Sequence, residues 1–261
     1  MNFKILSDTL LDAYTNVVKE SPLQKLDKIK KIEIPVDYFQ FYKSISSVYS
    51  SKIEGENIDF DSYFKHKFLK VKFKADYTRK ADDLYAAYDF IDNHSISFKN
   101  IQKAHSILSA HLLPKSQQGL IRNNPMMVIN SEDEIEYIAA EPAIVKIEIE
   151  KLFNDIELLL KARLNDFEIF YYAAYIHLVF VKIHPFQDGN GRTARLLEKW
   201  FLIEKIGQKA AAVQLEKNYY VHIHHYYNNI KKLGLEYAKL DYNKALNFLL
   251  MTINGIEKEV E

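Results

Sequence analysis

Phe167-Glu168-Ile169-Phe170-Tyr171-Tyr172-Ala173-Ala174-Tyr175-Ile176-His177-Leu178-Val179-Phe180-Val181-Lys182-Ile183 is the most apolar stretch of the chain, and it runs directly into His184-Pro185-Phe186-Gln187-Asp188-Gly189-Asn190-Gly191-Arg192. Apolar residues on nearly every face predict a helix at the centre of a bundle rather than on its surface. The length approaches that of the shortest membrane spans, but His177, Lys182 and the polar loop that follows favour a buried helix. Such a helix holds the loop after it rigidly, as a reacting constellation requires.

Outward from this segment the chain keeps the same character. Only 7 glycines and 6 prolines interrupt 261 residues, and apolar residues recur at three-to-four spacing, so the fold is expected to be all-α. Helices are predicted over residues 6–19, 37–53, 79–92, 98–112, 143–163, 167–183, 193–205, 219–233 and 242–253. One segment departs from this period: after Gly119, Met126-Met127-Val128-Ile129 and Ile135-Glu136-Tyr137-Ile138 flank the polar turn Asn130-Ser131-Glu132-Asp133-Glu134. That pattern predicts a short β-hairpin. The expected organisation is a helical N-terminal region over 1–75 and a core over 76–261, with the boundary at 55–76 and residues 65–74 as a solvated connection.

Thirty-five basic residues balance thirty-five acidic ones, so no global field draws the chain to nucleic acid or an acidic membrane, and neither partner is expected. The absence of cysteine removes disulfides and thiolate zinc sites and suits a reducing compartment. Residues 1–15 lack the apolar run of a signal peptide, which makes the expected location cytoplasmic.

The loop after the central helix holds the chemistry. Gly189-Asn190-Gly191 opens a helix whose first N–H groups are unpaired and backed by the positive end of its dipole, a site for phosphate oxygens. Arg192 and Arg195 share a face of that helix, and their guanidinium forks suit a triphosphate tail. Asp188 offers one hard oxygen ligand, enough where Mg2+ takes the rest from phosphates and water. His184 stands at the mouth of the loop, able to accept the proton of an attacking hydroxyl, and Phe186 is expected to anchor the loop inward. Singly, a His-Pro is a helix stop and an Asp-Gly-Asn-Gly a turn. Base, metal ligand, anion nest and two arginines within 184–195 are another matter.

This string resembles the signature of the Fic (filamentation induced by cAMP) proteins, His-Pro-Phe-x-Asp/Glu-Gly-Asn-Gly-Arg-x-x-Arg, at every defined position. The resemblance extends over about residues 79–250: 119–138 looks like the family's target-docking flap, with Met127, Val128 and Ile129 on it, and 241–249 like its closing helix. It implies a Fic-like helical core and a protein adenylyltransferase using Mg2+ and ATP. His184 would deprotonate a Ser, Thr or Tyr hydroxyl of a target, or of the protein itself, for attack on the α-phosphate. Asp188 would hold the metal, the Gly189, Asn190 and Gly191 amides would cradle the β-phosphate region, and Arg192 would bind the γ-phosphate. The flap would align the target by strand addition.

Ser50-Ser51-Lys52-Ile53-Glu54-Gly55 closes a helix over about 41–55, with Ser50 and Glu54 on one face and Gly55 as its stop. On periodicity alone Glu54 is a solvent-facing residue of a last turn. Within the resemblance it looks like the inhibitory motif Ser/Thr-x-x-x-Glu-Gly/Asn, which implies that Glu54 pairs with Arg195, denies it to the γ-phosphate and keeps the enzyme autoinhibited. Three other readings stand beside this one: removal of AMP from targets, use of another nucleotide, and a nucleotide-sensing interaction module without catalysis. His222, His224 and His225 diverge around a helix and carry no acidic partner at ligand spacing. Oligomeric state is not legible.

Overall fold

The computed structural model describes residues 1–29, 36–129 and 132–256. In chain order the elements are α1 (Leu11–Val18), α2 (Pro22–Asp27), α3 (Tyr38–Ile53), α4 (Phe60–Leu69), α5 (Ala75–Ile91), α6 (Phe98–Leu108), β1 (Met127–Ile129), β2 (Ile135–Ile138), α7 (Pro142–Lys161), α8 (Asp166–Ile183), α9 (Asn190–Ile206), α10 (Leu215–Val221), α11 (Ile223–Lys231), α12 (Leu246–Leu249) and α13 (Met251–Asn254), with short 3-10 turns between some of them. The fold is thus all-α with one antiparallel hairpin, as the periodicity predicts.

α8 is the axis of the molecule. Its N-terminus is a capping box in which the Asn165 side chain takes the Glu168 N–H and the Glu168 carboxylate takes the Asn165 N–H. From Ile169 to Phe180 every residue is buried. α7, α9, α1, α12 and α13 pack around it. No helix among the described residues is long and apolar enough to cross a membrane.

Several predicted boundaries move, each for a local reason. The first helix starts at Leu11 rather than Leu6 because the N–H groups of Lys4, Ile5 and Leu6 are held by the buried carboxylate of Asp155 on α7. The run over 219–233 is two helices, broken at His222 (φ −108°, ψ 38°). The run over 242–253 is a 3-10 turn followed by two single-turn helices. Residues 65–74 are not wholly a connection: Asp59 caps α4 by accepting the Ser62 N–H, and Tyr63 is buried with Val48, Ile58, Ala81 and Tyr85. Lys65 and Lys67 stay at the surface against Asp61 and Asp82, so a lysine-rich sequence still forms a packed helix. Only 70–74 run exposed and without regular structure.

α3 packs on α5 and α10. Ser46 Oγ donates to the buried Glu216 carboxylate of α10 at 2.8 Å, and Ile53 at its C-terminus joins the main core. This seats the end of α3, with Glu54 as its C-cap, against the N-terminus of α9.

Candidate active site

The loop between α8 and α9 is built from the inside out. Phe186 is fully buried and stacks on the His105 ring of α6, with centroids 3.7 Å apart. Asn190 clasps the same residue: the Phe186 N–H donates to Asn190 Oδ1 and Asn190 Nδ2 donates to the Phe186 carbonyl, both at 2.8 Å. The Asn190 side chain is therefore committed to the loop, and what it can offer an anion is its backbone N–H. His105 ties three segments together. Its Nδ1 accepts the Gly119 N–H at 2.9 Å, so Nε2 carries the proton and donates to the Asp188 carbonyl, also at 2.9 Å. Burial pushes this imidazole down to about 4. Gly119 has φ 73°, and a Cβ there would meet the Gln102 carbonyl oxygen at 2.5 Å, so only glycine lets the flap start this close to α6.

His184 is the C-cap of α8 in the left-handed region (φ 55°, ψ 60°). The proline after it disfavours continued helix, and a non-glycine residue in this conformation must be held by its surroundings. Arg122 does the holding. Its Nε donates to the His184 carbonyl at 2.6 Å, Nη1 to Asn124 O at 2.7 Å and Nη2 to Ala140 O at 2.5 Å, while its own N–H donates to Pro185 O at 2.9 Å. One buried cation thus fastens both ends of the flap to the base of the loop. Arg122→Met is expected to lower unfolding free energy by about 2–4 kcal/mol in urea titration, because several buried carbonyls lose their donor.

The His184 Nδ1 lies 3.1 Å from the Val181 carbonyl. A carbonyl only accepts, so Nδ1 bears the hydrogen and Nε2 is the basic nitrogen. Burial pushes the imidazole below its ordinary 6.5, against the opposing pull of the Val181 hydrogen bond and of Glu54. His184 shares a cleft with Glu54, Gly191, Arg195 and the flap residues Val128 and Tyr137.

At the start of α9, Gly189 is left-handed (φ 75°) and gives its N–H to its own neighbour, Asp188 Oδ1, at 2.6 Å. Asp188 is exposed, and its other carboxylate oxygen has no partner among the described residues. No group of three or more His, Cys, Asp or Glu among those residues could hold a metal. A divalent cation at Asp188 would therefore take most of its ligands from phosphates and water, which fits Mg2+ at nucleotide sites. His222, His224 and His225 form no such group either.

Glu54 reaches directly over this helix terminus. Its Oε1 accepts from Arg195 Nη2 at 2.6 Å, and a Cβ built on Gly191 would come within 2.6 Å of the same oxygen. Burial opposes the charge, but the Arg195 and Arg192 guanidiniums outweigh it and hold the carboxyl below its ordinary value. Ser50, one turn earlier, accepts from Arg195 Nε through its hydroxyl at 2.9 Å and from Nη2 through its carbonyl at 3.2 Å. A second acidic residue, which the sequence pattern did not single out, faces the other arginine. Glu56 Oε1 lies 3.4 Å from Arg192 Nη2 and 2.5 Å from Lys80 Nζ.

The flap pairs Met127 with Ile138, Val128 with Tyr137 and Ile129 with Ile135, with a bulge after Val128. Asn130 and Ser131 of the predicted turn lie outside the described residues. Tyr137 is buried, donates from its hydroxyl to Lys182 O at 2.6 Å, and carries Lys182 Nζ over its ring at 4.0 Å. The outer edge of β2 is occupied, since the Ile138 N–H donates to Leu235 O. β1 has no second strand partner among the described residues, and Met127 and Ile129 are exposed on it.

A helical bundle with this glycine-framed helix entrance under a two-stranded flap resembles a Fic domain. Residues 95–202 match the Fic/DOC family, a narrower span than the 79–250 expected from the sequence. Over 60 residues it is 42% identical to Protein adenylyltransferase Fic of Aedes aegypti, a match covering 23% of this chain and 11% of the relative. Over 32 residues it is 62% identical to that of Drosophila persimilis, 12% of this chain and 6% of the relative. The matches thus span only a small part of these relatives' length. A Fic family protein from Desulfovibrio desulfuricans superposes with TM-score 0.75 at 17% identity, covering 94% of this chain and 71% of the other. A Fic domain containing signaling protein from Bacteroides thetaiotaomicron does so with TM-score 0.64 at 17% identity, covering 94% and 92%. At such identity the likeness is one of fold.

Proposed function

We propose that this protein is an autoinhibited protein adenylyltransferase, moving AMP from Mg-ATP to a Ser, Thr or Tyr hydroxyl of a target protein or of itself. The observation that carries this reading is the convergence of His184, the start of α9, Arg195 and flap residue Val128 on one cleft that Glu54 partly fills. In that cleft the free Nε2 of His184 takes the hydroxyl proton while the hydroxyl oxygen bonds to the α-phosphorus. The bond from that phosphorus to the bridging oxygen breaks, and pyrophosphate leaves. The N–H groups that open α9, with Arg192 and Arg195, bind the phosphate chain and spread its charge, the main source of rate in this chemistry. Asp188 would hold Mg2+, which supplies further neutralisation of phosphate charge when bound. The open edge of β1 takes a target segment as an added strand, with Met127 and Ile129 giving it apolar contact.

Glu54 occupies the ground a phosphate needs. Its carboxylate is an anion over a helix N-terminus, bonded to a phosphate-type arginine. Glu56 adds a weaker hold on Arg192, because Lys80 competes for the same oxygen. Glu56→Gln is expected to raise activity about two- to threefold at subsaturating ATP, the scale of a partly exposed ion pair.

The deciding experiment follows α-labelled ATP into protein with Mg2+, in wild type, Glu54→Gly, and Glu54→Gly with His184→Ala. Label strong in Glu54→Gly, weak in wild type and absent without His184 supports the reading. No label in any, despite Mg-ATP binding, transfers the assignment to AMP removal or another nucleotide; no binding leaves an interaction module. The expected cytoplasmic location is tested separately by fractionation.

A further inference from the structure

Arg195 is wholly buried and makes four hydrogen bonds. Three go to α3, two to Ser50 and one to Glu54; the fourth runs from Nη1 to the Tyr226 hydroxyl of α11 at 3.3 Å. When Glu54 releases the guanidinium to a nucleotide, Ser50 and Tyr226 remain with it, and Tyr226 is its one partner outside α3 among the described residues.

The direction of every proton beyond that point is fixed by one fact: a guanidinium cannot accept. The Tyr226 oxygen therefore receives Arg195, and its O–H must donate elsewhere. His177 Nε2, 3.0 Å away, is the acceptor. Nδ1 is then the protonated nitrogen and donates to Glu198 Oε2 at 2.6 Å. Tyr219 and Thr252 hydroxyls close on Glu198 Oε1 at 2.8 and 2.5 Å, so the carboxylate is fully surrounded by donors. All five groups are buried. Burial keeps His177 neutral by pushing it below 6.5 and keeps the proton on Tyr226 by pushing it up.

We propose that Glu198, His177 and Tyr226 are positioning residues for Arg195: a one-directional relay from a buried carboxylate that keeps the guanidinium aimed into the cleft once Glu54 lets go, ready for the terminal phosphate of ATP. This rests on the adenylyl-transfer reading, in which Arg195 serves the γ-phosphate. The relay also gives Arg195 a counter-charge in the released state, through two neutral groups, so that release does not strand a buried cation.

Because the γ-phosphate is absent from ADP, the relay makes a prediction that general damage to packing does not. Nucleotide binding with Mg2+ is measured by titration calorimetry in Glu54→Gly with His184→Ala, which cannot turn over, and in the same protein carrying Tyr226→Phe or Glu198→Gln. Tyr226→Phe is expected to weaken ATP about tenfold, the worth of a hydrogen bond to a charged group, and to leave ADP within about twofold. Glu198→Gln should act in the same direction: its amide can donate to His177 Nδ1, which turns the Nε2 hydrogen onto the Tyr226 oxygen in competition with Arg195. Undiminished preference for ATP over ADP in both variants overturns the relay alone. So does equal weakening of both nucleotides with a lowered melting temperature, which marks packing. A parent protein with no preference for ATP over ADP overturns the assignment of Arg195 to the γ-phosphate, and the relay with it.

Discussion

Glu54→Gly is expected to incorporate label from α-labelled ATP about ten- to a hundredfold faster than wild type, the span of a coupling of 1–3 kcal/mol between two states of a site. The physical basis is a competition for one cation. Arg195 Nη2 sits 2.6 Å from Glu54 Oε1, and the Glu54 carboxylate also covers the α9 terminus beside Gly191. On the proposed reading, a phosphate chain has to displace it from both. Removing the carboxylate leaves Arg195 bonded to Ser50 and Tyr226, so the arginine is freed without losing its other partners. Acid should imitate the substitution only weakly. The Glu54 carboxyl is held below its ordinary 4.5, so the contact is complete at neutral pH. It weakens only as pH falls below 4.5 toward the folded-state value, and its contribution to stability is lost over that same range. Equal incorporation by Glu54→Gly and wild type at subsaturating ATP would sink the brake while leaving the transferase open.

His184→Ala, placed in the Glu54→Gly background, is expected to lower transfer about a thousandfold, within the usual contribution of a positioned base. Nucleotide affinity should stay within a few-fold, since the groups proposed to bind phosphate belong to α9. The pH profile carries the sign. The base is active when neutral, and its pKa is depressed below 6.5, so kcat/KM should be flat above pH 6.5 and fall as pH drops through the depressed value. Glu54 raises the His184 pKa by its charge, so this acid limb should lie at lower pH in Glu54→Gly than in wild type. An unchanged rate in the alanine variant would remove His184 from catalysis, and an acid limb that does not move would show that Glu54 and His184 do not sense each other.

Much of this architecture is legible locally. The all-apolar run over 167–183 and the absence of a helix breaker within it require a buried helix, because no other arrangement removes so many side chains from water. The switch from three-to-four spacing to strand-like runs near 126–138 marks the hairpin. Gly189 starts α9 at a positive φ, a conformation that glycine permits by itself. Where local rules misled, a distant group intervened: Asp155 unwinds residues 4–6, and Tyr63 makes a packed helix from a stretch that its lysines suggest is a solvated link.

By itself, then, the sequence determined the central helix, the loop that follows it and which candidate groups that loop carries, since each depends on residues within a turn or two of one another. Only the tertiary structure decided which of those groups meet. It brought Glu54 onto Arg195 across 141 positions and Glu56 toward Arg192 across 136. It set Arg122 and His105 beneath the loop, and it joined Glu198 to Arg195 through His177 and Tyr226. Such contacts arise from packing several helix faces at once, and no periodicity along a single segment records which face of which helix will lie opposite.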